Sequence, residues 1–571
     1  MEKVIRVSVR SFRFRPLFSL ARFALIISGC GDPYPMMPED PVVVAPDEGD
    51  VGGVHSDRGD DPRTEHEVPG APSDGSNDPD VDGPPEDEPS DPGSTDETPT
   101  RRPPRVRAPL MLSHEYPDDD DGFGHSVAVS IDTVVVGVPG DDGSVAGNDR
   151  ENDIYGDPSH NMHGNYDSGA VYVYDLEGNK TAYLKAIDIA PQDRTTKTLG
   201  WADRLGTSVA IDGDVVVAGA PGWEDDAGKA YVFERDWTTR AWRQTGQLVP
   251  EVSAPGSLFG QSVAIHGEMI VVGAPREEGE EPRSGAAYVF ERVDGYWKQT
   301  ARLKALNAGS YDEFGTSVAV TEGFIVVGAP FERSSDRNDP QSDNASSAGA
   351  AYVFERGYES WLSVAYLKEE WPTNEDQFGM SVAIDRPSGE DVVRVAVGAP
   401  GVDEFGANEE GTVTIFELEG DEWIRVERLV PSGLGSHHRF GHSIDLDGDC
   451  LVVGAPSENT WEQENFFRSK PPSDVPLGFS QDSGAVYVFK RTSGWNVHGF
   501  SKFNRSWDTF YGTSVAVETD SFVFVAGART SELRIPARPG EVILSPLNPP
   551  RFNSDLQLPP TLPPGGGVTN F

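Results

Sequence analysis

From about residue 109 onward, apolar positions come in short runs separated by turn residues, and one order of runs keeps returning. In one copy Phe259-Gly260 opens the run Gln261-Ser262-Val263-Ala264-Ile265, the turn His266-Gly267-Glu268 follows, and Met269-Ile270-Val271-Val272 closes on Gly273-Ala274-Pro275. Two apolar runs around a tight turn predict a β-hairpin. The segment from Gly285 to Glu291 supplies a third apolar run, and Tyr296 to Leu303 alternates bulk with polarity as a half-exposed strand does. One copy thus predicts a four-stranded antiparallel meander.

The order recurs seven times. The openings are Phe123-Gly124, Leu205-Gly206, Phe259-Gly260, Phe314-Gly315, Phe378-Gly379, Phe440-Gly441 and Tyr511-Gly512. The matching closings begin at Gly137, Gly219, Gly273, Gly328, Gly398, Gly454 and Gly527. Such self-similarity marks a radial or stacked β array. First and second runs are nearly continuous in Val, Ile and Ala, as in sheets covered on both faces, whereas fourth runs such as Trp242 to Leu248 carry charge. That gradient from inside to outside fits blades whose first strand lines an axis and whose fourth lies at a rim. The prediction is an all-β, seven-bladed propeller over residues 108–546. The seventh copy turns Pro-rich from Pro546 and lacks a fourth run, while Pro109-Leu110-Met111-Leu112-Ser113 precedes the first copy. Residues 109–114 are therefore expected to complete the last blade and cover its open edge.

With the Phe-Gly openings and Gly-Ala-Pro closings in hand, the pattern resembles FG-GAP repeats, the blades of the integrin α-chain propeller and of many exported bacterial proteins. The resemblance implies a propeller used for adhesion or ligand recognition. It also implies calcium in the turn between first and second strands, through a loop like Asp-x-Asp-x-Asp-Gly-x-x-x-Asp. Calcium takes six to eight oxygens, and the turns Asp212-Gly213-Asp214 and His266-Gly267-Glu268 leave no room for them. Asp445-Leu446-Asp447-Gly448-Asp449 is a truncated version, and the longer turn from Asp385 to Asp391 is interrupted by Arg386 and Pro387. No cofactor is expected, with calcium as the alternative.

The ends change the picture of where the propeller sits. Residues 1–30 carry six arginines and lysines against Glu2, then Phe23-Ala24-Leu25-Ile26-Ile27, and end in Ser28-Gly29-Cys30. A basic head before a short apolar run reads as an export signal. Its end resembles the lipobox of bacterial lipoproteins, in which Cys30 is the acylated residue; Gly31, in place of Asp, suits transfer to the outer membrane or cell surface, with secretion as the alternative. Residues 31–107 are dominated by Pro, Gly, Ser, Asp and Glu and are expected to stay disordered as an acidic tether. Residues 547–571 form a Pro- and Gly-rich tail. The net charge of −47 excludes nucleic acid as a partner, since phosphate binding needs clustered Lys and Arg. With Cys30 acylated, Cys450 has no disulfide partner, and its apolar run Cys450-Leu451-Val452-Val453 places it in the core.

Functional candidates follow from blade geometry, which puts the connections from second to third strand and from fourth strand to the next blade on one face. The long insertions 140–168, 331–348 and 457–483 all fall there. Aromatics and acids within or beside such connections, Tyr155, Trp223, Trp461, Phe466 and Phe467 with Asp141, Asp142, Asp225 and Asp226, are the expected ligand-binding residues for a protein or glycan. His125 and His442 share the position after Phe-Gly, but in blades that are not adjacent. The chain carries no Gly-x-Ser-x-Gly, His-Glu-x-x-His, Cys-x-x-Cys or phosphate loop, so a non-enzymatic, monomeric binding or adhesion module is expected. The alternatives are a structural envelope or matrix component, or a carbohydrate-active propeller enzyme with a carboxylate pair at the axis.

Overall fold

The structure is a computed structural model that describes residues 106, 108–112, 121–141, 168–187, 203–336, 339–387, 390, 392–403, 409–430, 437–458, 483–502, 510–528 and 540–547. The expected signal peptide, the acidic tether except Val106 and most of the C-terminal tail lie outside them. The described residues form seven four-stranded antiparallel sheets. Blades 1 to 7 begin with the strands Ser126–Ser130, Ser208–Asp212, Ser262–His266, Ser317–Thr321, Ser381–Asp385, Ser443–Asp447 and Tyr511–Glu518. These first strands abut one another in succession, and that of blade 7 abuts that of blade 1, so the array is a closed propeller. Among the described residues no helix is long and apolar enough to cross a membrane.

Burial follows the gradient read from the sequence. In blade 3 every residue of the second strand, Met269–Ala274, is buried, while the fourth strand, Tyr296–Leu303, alternates exposed with half-buried positions. Each fully buried Val or Ile contributes roughly 1.5–3 kcal/mol, so the second and third strands hold most of the apolar stabilisation. Cys450 lies in such a second strand and is a free, buried thiol.

The ring closes with the early strand. Leu110–Leu112 pairs with Glu541–Pro546 in the register Leu110↔Leu544, Met111↔Ile543 and Leu112↔Val542. Leu112 is buried in a cluster shared by blades 7 and 1.

The repeat motifs are seams between blades. The serine of each Phe-Gly-x-Ser donates its hydroxyl to the carbonyl of the Phe-Gly glycine in the next blade, as Ser262 Oγ does to Gly315 at 2.8 Å and, across the closure, Ser514 Oγ does to Gly124 at 2.9 Å. The contact recurs at all seven interfaces. Gly273 allows it, because a Cβ there would collide with the Gly315 carbonyl oxygen. Gly260 has φ +92°, a conformation that disfavours a side chain. The opening aromatic works in two directions. Its backbone bridges the glycine that starts the preceding blade's third strand, as in Gly285↔Phe314, and its ring packs edge-on against its own blade's Tyr352 and Phe354 at 5.4 and 6.0 Å.

One feature was not legible in the pattern. The third-to-fourth strand register shifts at the same place in six blades, between Val289 and Phe290 in blade 3 and between Val353 and Phe354 in blade 4. A bulge there increases the twist of the outer strand.

Candidate functional site

Beneath the loop face lies a layer of buried polar groups. The fourth residue after each closing glycine is Asp141, Trp223, Glu277, Glu332, Val402 and Glu458 in blades 1 to 6. All four acids in this set are buried. In blade 1 Asp141 Oδ2 accepts the Tyr172 hydroxyl at 2.9 Å, and Oδ1 accepts the Tyr183 hydroxyl and Lys185 Nζ, both at 2.7 Å. In blade 6 Glu458 accepts the Tyr487 hydroxyl at 2.7 Å. In blade 3 Glu277 accepts Tyr288 and Arg302, with Lys304 3.4 Å away. Burial and the adjacent carboxylate hold the Tyr288 hydroxyl well above its ordinary range. Blades 2 and 5 depart from the scheme. Trp223 replaces the acid in blade 2, and Lys229 Nζ lies 3.9 Å over its ring. In blade 5 the acid comes from the preceding linker, where Glu369 accepts Thr414 Oγ1 at 2.9 Å and also binds Arg428.

Between blades 3 and 4 this layer opens into a cleft of about 270 Å³, lined among others by Glu281, Asn307, Asp312, Glu332, Arg333 and Gln341. Asp312 is 3% exposed, and its carboxylate accepts Gly309 N–H at 2.6 Å. Burial pushes its carboxyl up to about 7, with Glu332 and Asp343 adding to the shift and the Gly309 N–H opposing it. In the next linker Asp376 repeats the turn with Thr373 N–H at 2.6 Å, and burial pushes it up to about 6. Leu306, Tyr311 and Trp371 project from these two linkers and are exposed.

Asp141 points inward and anchors the base of its loop, so its carboxylate is occupied by two tyrosines and a lysine. Trp223, Asp225 and Asp226 share one turn of blade 2. Glu224, Asp225 and Asp226 have φ of 45°, 57° and 61°, three consecutive left-handed residues. The turn grips the next linker: the Asp225 and Asp226 carbonyls accept Gly256 N–H at 3.0 Å and Leu258 N–H at 2.8 Å, and the Asp226 side chain pairs with Arg204 at 3.0 Å. Asp225 is exposed. Asp142, Tyr155, Trp461, Phe466, Phe467 and Cys30 lie outside the described residues. His442 is held down at about 4 by burial and by Arg439. The cleft residues Asn307, Asp312 and Glu332 were missed. The signal for Glu332 was the acid four residues past the closing glycine, and for Asp312 the Asp two residues before the Phe-Gly or Leu-Gly opening, which recurs as Asp121, Asp203, Asp312 and Asp376; Asn307 had none.

Among the described residues the carboxylate-bearing turns of blades 5 and 6 on the opposite face do not fit a calcium loop. In blade 5 the Arg394 guanidinium occupies the turn, paired with Glu390 at 2.5 Å and Glu417 at 3.0 Å. In blade 6 Asp445 accepts Val517 N–H at 2.8 Å, and Asp447 accepts Thr519 N–H and Oγ1, each at 2.7 Å. These carboxylates already serve backbone groups of blade 7. Among the described residues no cluster of three His, Cys, Asp or Glu is placed to hold a metal ion.

Comparison with known proteins agrees with this architecture. The FG-GAP repeat family matches residues 201–233, 242–290, 297–354 and 423–466, which fall in blades 2 to 4, the fourth strand of blade 5 and the start of blade 6. Integrin alpha-7 of Mus musculus is 31% identical over 193 residues, covering 29% of this chain and 16% of that protein. Integrin alpha-7 of Rattus norvegicus is 31% identical over 199 residues, covering 29% and 17%. The chain thus matches about a sixth of the length of these relatives. Fold, repeats and likeness together support an integrin-like FG-GAP propeller.

Proposed function

We propose that this chain is a protein-binding module of adhesion type that meets its partner with the loop face of the propeller. The reading is carried by the confinement of the insertions 140–168, 331–348 and 457–483 to second-to-third strand connections, all on one face of a rigid ring. The polar cleft between blades 3 and 4, with exposed Leu306 and Tyr311 in the linker that lines it, gives that face the mixture of apolar and hydrogen-bonding groups that interfaces use. The likeness to integrin alpha-7 favours the same reading. In this proposal acylated Cys30 anchors the chain at the outer membrane or cell surface, residues 31–107 hold the propeller away from it, and the module works as a monomer without cofactor or catalysis.

The test uses the soluble fragment 106–550 against a panel of envelope proteins, with glycans as a second arm. Binding of a protein that is lost when 140–168, 331–348 and 457–483 are each trimmed to a short turn supports the loop face. Undiminished binding after all three are trimmed rejects it, and turnover of a polysaccharide replaces the reading with an enzymatic one.

A further inference from the structure

The buried acid of blade 4 holds a set of groups that its counterparts do not share. Lys368, its side chain fully buried, donates to Glu332 Oε2 and to the Gly349 carbonyl, each at 2.6 Å. The other carboxylate oxygen, Oε1, accepts Asn307 Nδ2 at 3.3 Å and the Tyr366 hydroxyl at 2.9 Å. Asn307 Oδ1 in turn accepts the Tyr352 hydroxyl at 2.8 Å. A primary amine and a primary carboxamide are therefore held on the two oxygens of one buried carboxylate, with a hydroxyl on the carboxamide oxygen. These are the parts of an amide exchange: a nucleophile beside a base, a leaving nitrogen beside the same group acting as acid, and a donor where negative charge develops.

We propose that Lys368 and Asn307 join in an intramolecular amide crosslink, with Glu332 carrying the protons. The Lys368 ammonium gives a proton to Glu332, and the free amine attacks Asn307 Cγ. The Cγ–Nδ2 bond breaks, and Glu332 returns its proton to the departing nitrogen. The second proton of the attacking nitrogen leaves with that group, so one lysine ammonium and one carboxamide become one secondary amide and one ammonium ion. Glu332 ends as it began, and neither oxidant nor co-reactant is consumed. Burial lowers the Lys368 pKa, which favours the neutral amine the step requires.

The bond would join the linker entering blade 4 to the segment leaving it, making a covalent hoop around the whole blade in a module read as bearing adhesive load. Blades 1 and 3 provide internal controls. Asn307 lies four residues past Leu303, the leucine that closes the preceding outer strand; the matching residue is Tyr116 for blade 1 and Val252 for blade 3, neither a carboxamide. Lys185 and Asp141 in blade 1 should remain an ion pair.

Tryptic peptide mapping of the full chain by mass spectrometry decides the matter. The expected product is a branched peptide in which 305–333 is joined through Asn307 to Lys368, lighter by one ammonia than its parts, with no cleavage after Lys368. Lys368→Arg, which keeps the charge, should return 305–333 as a linear peptide at full mass. If that variant does not fold, the unmutated chain alone gives the answer: linear 305–333 with its carboxamide intact, and cleavage after Lys368, overturns the proposal. A crosslink at Lys185 in place of Lys368 overturns it as well.

Discussion

Around the axis all seven blades make one contact, whereas beneath the loop face the partners vary: blades 1, 3 and 6 share an acid that accepts a third-strand tyrosine, and blades 2, 4 and 5 depart from it. The axial seam is a serine hydroxyl on a glycine carbonyl, with a second glycine opposite whose missing Cβ makes room. Apart from that hydroxyl its parts are backbone atoms at fixed spacing, and a Cβ added at either glycine meets main chain. The layer under the loops is made of side chains, and side chains can exchange roles: the acid sits in the second-to-third connection in blades 1, 3, 4 and 6, in a preceding linker in blade 5, and gives way to a lysine over a tryptophan in blade 2. The ring is specified by positions with a single geometric solution. Individuality resides in positions with several.

The largest expected effect tests whether the seam must close. Deleting residues 106–115 removes Leu110–Leu112, leaves the edge of Glu541–Pro546 unpaired and uncovers the cluster that buries Leu112. The thermal midpoint should fall further than any single substitution at a seam would lower it, and the open edge should promote association at high protein concentration. An unchanged midpoint in a scanning calorimeter would show that the ring holds without this strand and that the seams are individually sufficient.

A pair of alanine substitutions sharpens the contrast between geometry and conformation. In Gly273→Ala the new Cβ runs into the Gly315 carbonyl of the next blade, so a loss of about 3 kcal/mol or more is expected from overpacking against main chain. Gly267→Ala, in a turn at φ +56° with nothing within reach of the added carbon, should lose only about 1 kcal/mol from the left-handed backbone. Urea unfolding measures both. Equal losses would mean that the neighbouring blade gives way to the carbon added at Gly273, and the seam would lose its special standing.

The same contrast explains what could be read from the sequence. Phe-Gly, Gly-Ala-Pro and the alternating runs are visible because backbone geometry permits few residues at Gly260 or Gly273, so the seven copies stay alike and the blade count and closing strand follow. The cleft was hidden because Asn307, Asp312 and Glu332 come from a linker and a connection that are distant in sequence and meet only once blades 3 and 4 stand side by side. Asp141 reads as a loop-face carboxylate because an acid after Gly-Val-Pro-Gly suggests surface. Tyr172 and Tyr183 lie in strands and Lys185 directly follows one, and only the folded sheet brings them to it. The bulge near Phe290 left no trace, since neither strand changes composition there.

The smallest effect concerns charge in the variable layer. The Asp312 carboxyl is pushed up to about 7 by burial, whereas in the unfolded chain an aspartate titrates near about 3.9. Between those values the folded chain holds a proton that the unfolded chain has released. Stability is therefore fully present below the unfolded pKa and declines as pH rises from about 4 through about 7. Asp312→Asn removes the titration, and its side-chain carbonyl can still accept the Gly309 N–H. The variant should match the parent in acid and exceed it above neutrality, with a flatter profile of urea midpoint against pH. Asp376, pushed up to about 6 in the adjoining linker, remains in both proteins and serves as the reference. Parallel profiles would mean that Asp312 is solvated well enough to ionise freely, and the layer under the loops would then differ from the seam in composition but not in electrostatic cost.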